Sequence, residues 1–175
     1  SSRIPLKVLR LRERNFGLKE NIEKGLNEVF KNYKRAIILE DDLRLSRKFL
    51  KTILEMLDTY ESDPTIASVT GMGTEGFQRK SRVRSRINCS IGWATWHDRW
   101  NKRIKSNFSV LLFLFKKGRR NFDMNNSYPY STLYLSTLFK LTSSWGIYWY
   151  INARIKNLFH IYSKYALASH DGGDG

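Results

Sequence analysis

Four apolar residues, Ala36 to Leu39, run straight into three consecutive carboxylates, Glu40, Asp41 and Asp42. An apolar run this short, between two segments of helical periodicity, predicts a buried strand of the kind that helices cover in α/β proteins. Adjacent carboxylates at the end of such a strand repel one another and raise each other's pKa unless a cation compensates them. The stretch therefore constrains fold and chemistry together: a layered sheet, with something positive at the carboxyl end of one of its strands.

The flanking segments support that architecture. Leu18, Ile22, Leu26, Val29 and Phe30 recur on one helical face, so an amphipathic helix is expected over 18–32. Beyond the triplet, Ser46 is expected to cap a helix with Phe49, Leu50, Ile53, Leu54, Leu57 and Tyr60 along its inner stripe, and "TIASVTG" is the next strand. Alternation in "PLKVLRLRER" predicts a strand over 6–12, closed by the turn "NFG". The order strand, helix, strand, helix, strand predicts an α/β fold whose mixed sheet is mostly parallel, with ligands bound at the strands' carboxyl ends. Downstream come a basic glycine-containing loop, the aromatic-rich "INCSIGWATWHDRW", helices over 106–117 and around 129–141, and a helical "SSWGIYWYINARI". "LFHIYSKYALASHDGGDG" reads as a strand running into an acidic, glycine-rich loop. No repeat or linker divides the 175 residues, so a single domain over 1–175 is expected.

Charge is strongly segregated. Residues 1–75 hold 14 Lys and Arg against 12 Asp and Glu, residues 76–165 hold 17 against 2, and the last ten hold two Asp, which together give the net +15. Such a field attracts phosphates, nucleic acid, anionic lipid and acidic glycans alike. The single cysteine, Cys89, excludes an internal disulfide and a Cys-based zinc site, and it fits a reducing compartment. The apolar stretch at 109–115 is too short to span a bilayer. The expected location is cytoplasmic, with peripheral contact at the inner face of an anionic membrane.

Paired carboxylates at a strand end suit a hard cation, Mg²⁺ or Mn²⁺, with diphosphate oxygens completing its shell. Arg14 and Asn15, in the turn before the first helix, are placed to contact a nucleotide, although Asn15 and Gly17 also suit a plain turn. Trp93, Trp96 and Trp100 offer faces for stacking on sugars, but at this spacing they also read as core. His97 and His160 read as ordinary surface or core residues. His170 stands out because Asp171 and Asp174 follow it in a loop able to close on a site.

Together, "RNFGLKENIEKGLNEVFKNYKRAIILEDDLRLSRKFL", "IGWATWHDRW", "NNSYPYS" and "SSWGIYWY" resemble bacterial GT-A-type glycosyltransferases of the family 2-like group. These are distantly similar to the catalytic domain of N-acetylglucosaminyltransferase I. The resemblance implies a Rossmann-like nucleotide-diphospho-sugar transferase fold lacking its first strand and helix. It also implies a nucleotide-sugar donor, with a UDP-sugar as first choice, a glycan or lipid-linked acceptor, and inverting transfer. In that pattern Asp42 ligates the metal, with His170 as a second ligand. Glu40 and Asp41 face the donor together with Arg14 and Asn15, and Trp93, Trp96 and Trp145 face the acceptor. The catalytic base falls to Asp98, Asp171 or Asp174. The chain departs from the pattern at Ser143, where relatives carry an acid or amide, and at Tyr148, where they carry arginine.

Two other classes compete: a non-catalytic glycan-binding relative, and a basic nucleic-acid-binding module. Nucleic acid is the weaker partner, since the chain matches no nucleic-acid motif and that reading leaves the acidic triplet unexplained.

Overall fold

A computed structural model describes residues 8–74, 81–117 and 119–170. Helix α1, Leu18–Val29, leads into β1, Arg35–Ile38, and a tight turn joins this to β2, Leu43–Leu45. Helix α2, Phe49–Tyr60, is followed by β3, Ile66–Gly73, then β4, Val83–Ser85, and β5, Trp93–Trp96. Five helices come next: α3, His97–Asn101; α4, Asn107–Lys117; α5, Arg119–Phe122; α6, Tyr130–Leu138; and α7, Gly146–Lys156. The last strands are β6, Phe159–Ser163, and β7, Ala168–His170.

The main sheet has the order β1-β5-β3-β6-β4, and β2 and β7 form a separate two-stranded sheet. The α/β class is as expected, but the sheet is mostly antiparallel. Pairs β1–β5, β3–β5 and β4–β6 are antiparallel, and β3–β6 is parallel. The cause is β5, the aromatic "WATW" segment, which inserts between β1 and β3 and runs against both. A run of apolar residues reports burial on both faces and says nothing about the direction of its neighbours.

Three further expectations are corrected. Residues 8–12 form no strand, and Val8, Leu9 and Leu11 are exposed; Val8 and Leu9 are consecutive, which breaks the period of two that a half-buried strand requires. Ser46 does not cap α2 through its side chain; its carbonyl accepts from Phe49 N at 3.0 Å, and Lys48 occupies the N-cap. Leu50 and Leu54 turn outward, so the buried stripe of α2 is Phe49, Ile53, Met56 and Leu57.

The sheet has helices on both faces. Phe49, Ile53, Met56 and Leu57 pack on Val69, Ala94, Trp96 and Ile161. On the other face, Leu26 and Phe30 of α1 meet Trp93, Trp100, Trp145 and Trp149. Trp93 stands 5.3 Å from Trp145 and 5.6 Å from Trp149, centroid to centroid. Buried aromatics of this size contribute about 2 kcal/mol or more each. A third cluster joins α4, α5, α6 and α7 around Val110, Phe122, Tyr134 and Tyr150. Among the described residues, no helix is long and apolar enough to cross a membrane.

Gly73 has no room for a side chain, because a Cβ there would fall 2.2 Å from the backbone nitrogen of Ala166. Gly73→Ala is expected to destabilise the fold by about 2 kcal/mol or more, read as a lower denaturation midpoint with an unchanged slope. Burial depresses His160 from 6.5 to about 3, while its Nδ1 lies 2.7 Å from Ser68 Oγ. The unfolded chain therefore binds a proton that the folded chain refuses, and stability should fall as pH drops from about 6.5 toward 3. His160→Gln, which cannot titrate, should show a shallower acid loss in thermal melts across that window.

Candidate functional site

The acidic triplet occupies the link between β1 and β2, with Asp41 and Asp42 in the turn itself. Strand β2 then pairs antiparallel with β7 in the register Leu43↔His170, Arg44↔Ser169 and Leu45↔Ala168. Ser46 N donates to Leu167 O at 2.8 Å and continues the ladder. This register brings His170 beside the turn, and its Nδ1 lies 3.3 Å from Asp42 Oδ2. Both side chains are about half exposed, so the pair is open to a ligand from solvent.

Glu40 is the least exposed of the three acids. Its pKa is raised, first by burial and next by the negative charge of Asp42. His170 and a hydrogen bond from the Trp145 indole oppose the rise. Trp145 in turn stacks on Trp93, which sits beside Ile38 at the carboxyl end of β1. One indole of the hydrophobic core thus lies close enough to Glu40 to affect its charge. Trp145 also lines a cavity of about 240 Å³, together with Lys19, Glu23, Arg103 and Tyr148 among others. Lys19 Nζ lies 3.6 Å from the centre of the Tyr148 ring.

The structure separates some of the expected site residues and unites others. Asp42, His170, Glu40, Asp41 and Trp145 come together. Asp98 does not: Arg35 pairs with Trp96 and Ile38 with Trp93, so Asp98 lies past the amino end of β1 while the triplet lies past its carboxyl end. Strand rise along β1 alone puts roughly 10 Å between them, and Asp98 is paired with its neighbour Arg99 at 2.7 Å, so its expected place beside the triplet is corrected. Trp93 and Trp96 are also corrected. They are 1% and 2% exposed, which leaves no face for an acceptor. Arg14 lies over the Phe16 ring, and Asn15 Oδ1 accepts from Gly17 N at 2.7 Å, so Asn15 helps to shape the turn into α1. Both line a shallow groove of about 330 Å³. Asp171 and Asp174 lie outside the described residues.

Sequence reasoning missed the wall formed by Lys19, Glu23 and Tyr148. Its signal was the spacing of Lys19 and Glu23, four apart on the polar side of α1. Among the described residues, no group of three or more His, Cys, Asp and Glu is placed to hold a metal ion. The fit to a hard cation rests on the clustered carboxylates, beside which the His170 imidazole is a softer donor than such ions prefer, and on the charge of Asp42, which after burial contributes to the raised pKa of Glu40. No known protein family and no curated protein matches the chain.

The sign of the Glu40 shift makes it testable. A carboxyl whose folded pKa lies above its ordinary 4.5 stabilises the fold below that value and loses the contribution as pH rises through the shifted one. Glu40→Gln keeps an acceptor for Trp145 and removes the charge. In EDTA at neutral pH it should stabilise the protein slightly, by about 0.5 kcal/mol or less given solvent screening. The gain should vanish below about pH 4.5 in thermal melts.

Proposed function

We propose that this chain is a metal-dependent glycosyltransferase domain of the GT-A kind. It would take the sugar of a nucleotide-diphosphate donor, a UDP-sugar in the first instance, and transfer it with inversion to a glycan or lipid-linked acceptor. The observation that carries the reading is the meeting of Asp42 and His170, 128 positions apart, at 3.3 Å beside the other two acids of the triplet. A basic chain gains nothing structural from gathering three carboxylates at one turn, whereas a cation with a diphosphate explains them.

Asp42 and His170 are the residues that would hold Mn²⁺ or Mg²⁺. When bound there, such an ion supplies the positive charge that stabilises a departing diphosphate. Asp41, exposed at the tip of the turn, would accept hydrogen bonds from donor hydroxyls. Glu40, beside the Trp145 indole, would help to orient the turn toward the site. Arg14, exposed in the groove before α1, would bring positive charge toward the donor phosphates. The cavity beside Trp145 has the size of a single sugar ring rather than a whole nucleotide, and its indole and phenol walls suit the apolar face of a sugar. The proton of the acceptor hydroxyl would pass to Asp171 or Asp174, which follow His170 directly in the chain.

Calorimetric titration with UDP in the presence and absence of Mn²⁺ tests this reading. Binding should require the metal, and Asp42→Asn should weaken it by about tenfold to a hundredfold, while His170→Ala should weaken it less. Absence of UDP binding under every metal condition would overturn the donor assignment. Metal-dependent binding without any release of sugar to water or acceptor would identify a non-catalytic relative.

A further inference from the structure

Helix α4 is apolar on both of its faces. Val110 is buried in the helical cluster, and Leu111, Phe113 and Leu114 pack against it. Phe108, Leu112 and Phe115, spaced four and three apart, form a second stripe that points to solvent, with Phe108 74% and Phe115 87% exposed. Asn107, which opens α4, accepts from the Tyr134 hydroxyl of α6 at 3.2 Å. Just past the end of α6, Phe139 and Leu141 are exposed as well. Large apolar side chains lined up on the solvent side of one helix mark an interaction surface.

The surrounding charge says what kind of surface they meet. Residues 102–140 carry eight Lys and Arg and a single acid, Asp123. That acid is buried and occupied by Ser131 and Arg119. Lys105 and Lys116 flank the stripe along the chain, and Arg120 is exposed one turn beyond it. Glu23 of α1 shares a cavity wall with Lys105 and Asn107 at the start of α4, but along the stripe itself the cations prevail. An apolar stripe among cations complements an anionic lipid surface, where rings enter the acyl boundary and lysines remain at the headgroups. A protein partner would need a continuous acidic patch to compensate these cations, which an anionic lipid surface supplies along its whole extent.

We propose that the outer stripe of α4 forms a peripheral membrane-docking face, selective for anionic lipid, with Phe108 and Phe115 as its inserting residues. The assignment does not depend on the glycosyltransferase reading, because no residue of the triplet takes part in it.

Sedimentation with phosphatidylcholine vesicles, with and without phosphatidylglycerol, tests the proposal. The chain should bind the anionic vesicles and not the neutral ones, and salt should weaken the binding. Phe108→Ser with Phe115→Ser should reduce it at least about tenfold. Both positions are exposed, so the fold should survive, which circular dichroism checks. Asp42→Asn, the variant that tests the metal site, should bind vesicles as the unaltered chain does. Binding indifferent to the two phenylalanines would overturn the proposal. So would failure to bind anionic vesicles by a chain that instead self-associates through these residues.

Discussion

A three-residue antiparallel ladder holds the candidate site together. Strand β2 has no partner in the main sheet, and without β7 the turn carrying the triplet would end in a segment without backbone pairing. The register sets which residue faces Asp42: the pair Leu43↔His170 brings the imidazole to the carboxylate, and a slip of one residue would turn His170 to the other side of the strand. A short ladder of this kind is fixed at its far end by the Ser46–Leu167 hydrogen bond and by Leu167 N donating to Gly71 O at 2.8 Å. Site geometry therefore depends on packing near Gly71 and Gly73, where only glycine fits, as much as on the acids themselves.

The same dependence links the core to the turn from the other side. Trp145 belongs to the indole cluster with Trp93, Trp100 and Trp149, yet its N–H reaches Glu40. An indole packed against core rings has little rotational freedom, so Glu40 faces a neighbour fixed by the core. Orientation at a binding site comes at low entropic cost when the supporting side chain is already immobilised by packing.

Much of the first half of the chain was legible because its signals are local. The periodicity from Leu18 to Phe30 and from Phe49 to Leu57, and the apolar runs of β1 and β3, report burial directly. Strand direction was not legible, since β5 and β1 are alike in hydrophobicity whether they run together or apart. The WATW segment looked like a stacking platform because tryptophan serves both cores and sugar sites, and only its insertion between β1 and β3 shows which. At the site, Asp42 and His170 stood out because each sits among acids or glycines at a predicted strand end. Asp98 was misplaced because the chain gave no means of telling the two ends of the sheet apart.

The charge distribution explains why so basic a protein can keep an acidic site. With nearly all of the excess Lys and Arg between residues 76 and 165, the triplet lies in the more evenly charged first half of the chain. Burial first, and the charge of Asp42 second, raise the Glu40 pKa, and the basic residues elsewhere in the chain are largely screened from the turn wherever they stand more than about 10 Å away. The short-range field at the turn selects cations, while the longer-range field of the chain attracts anions. A divalent cation carrying a diphosphate, the ligand proposed for the turn, would be drawn by both fields, whereas a free cation or a free polyanion would be drawn by only one of them.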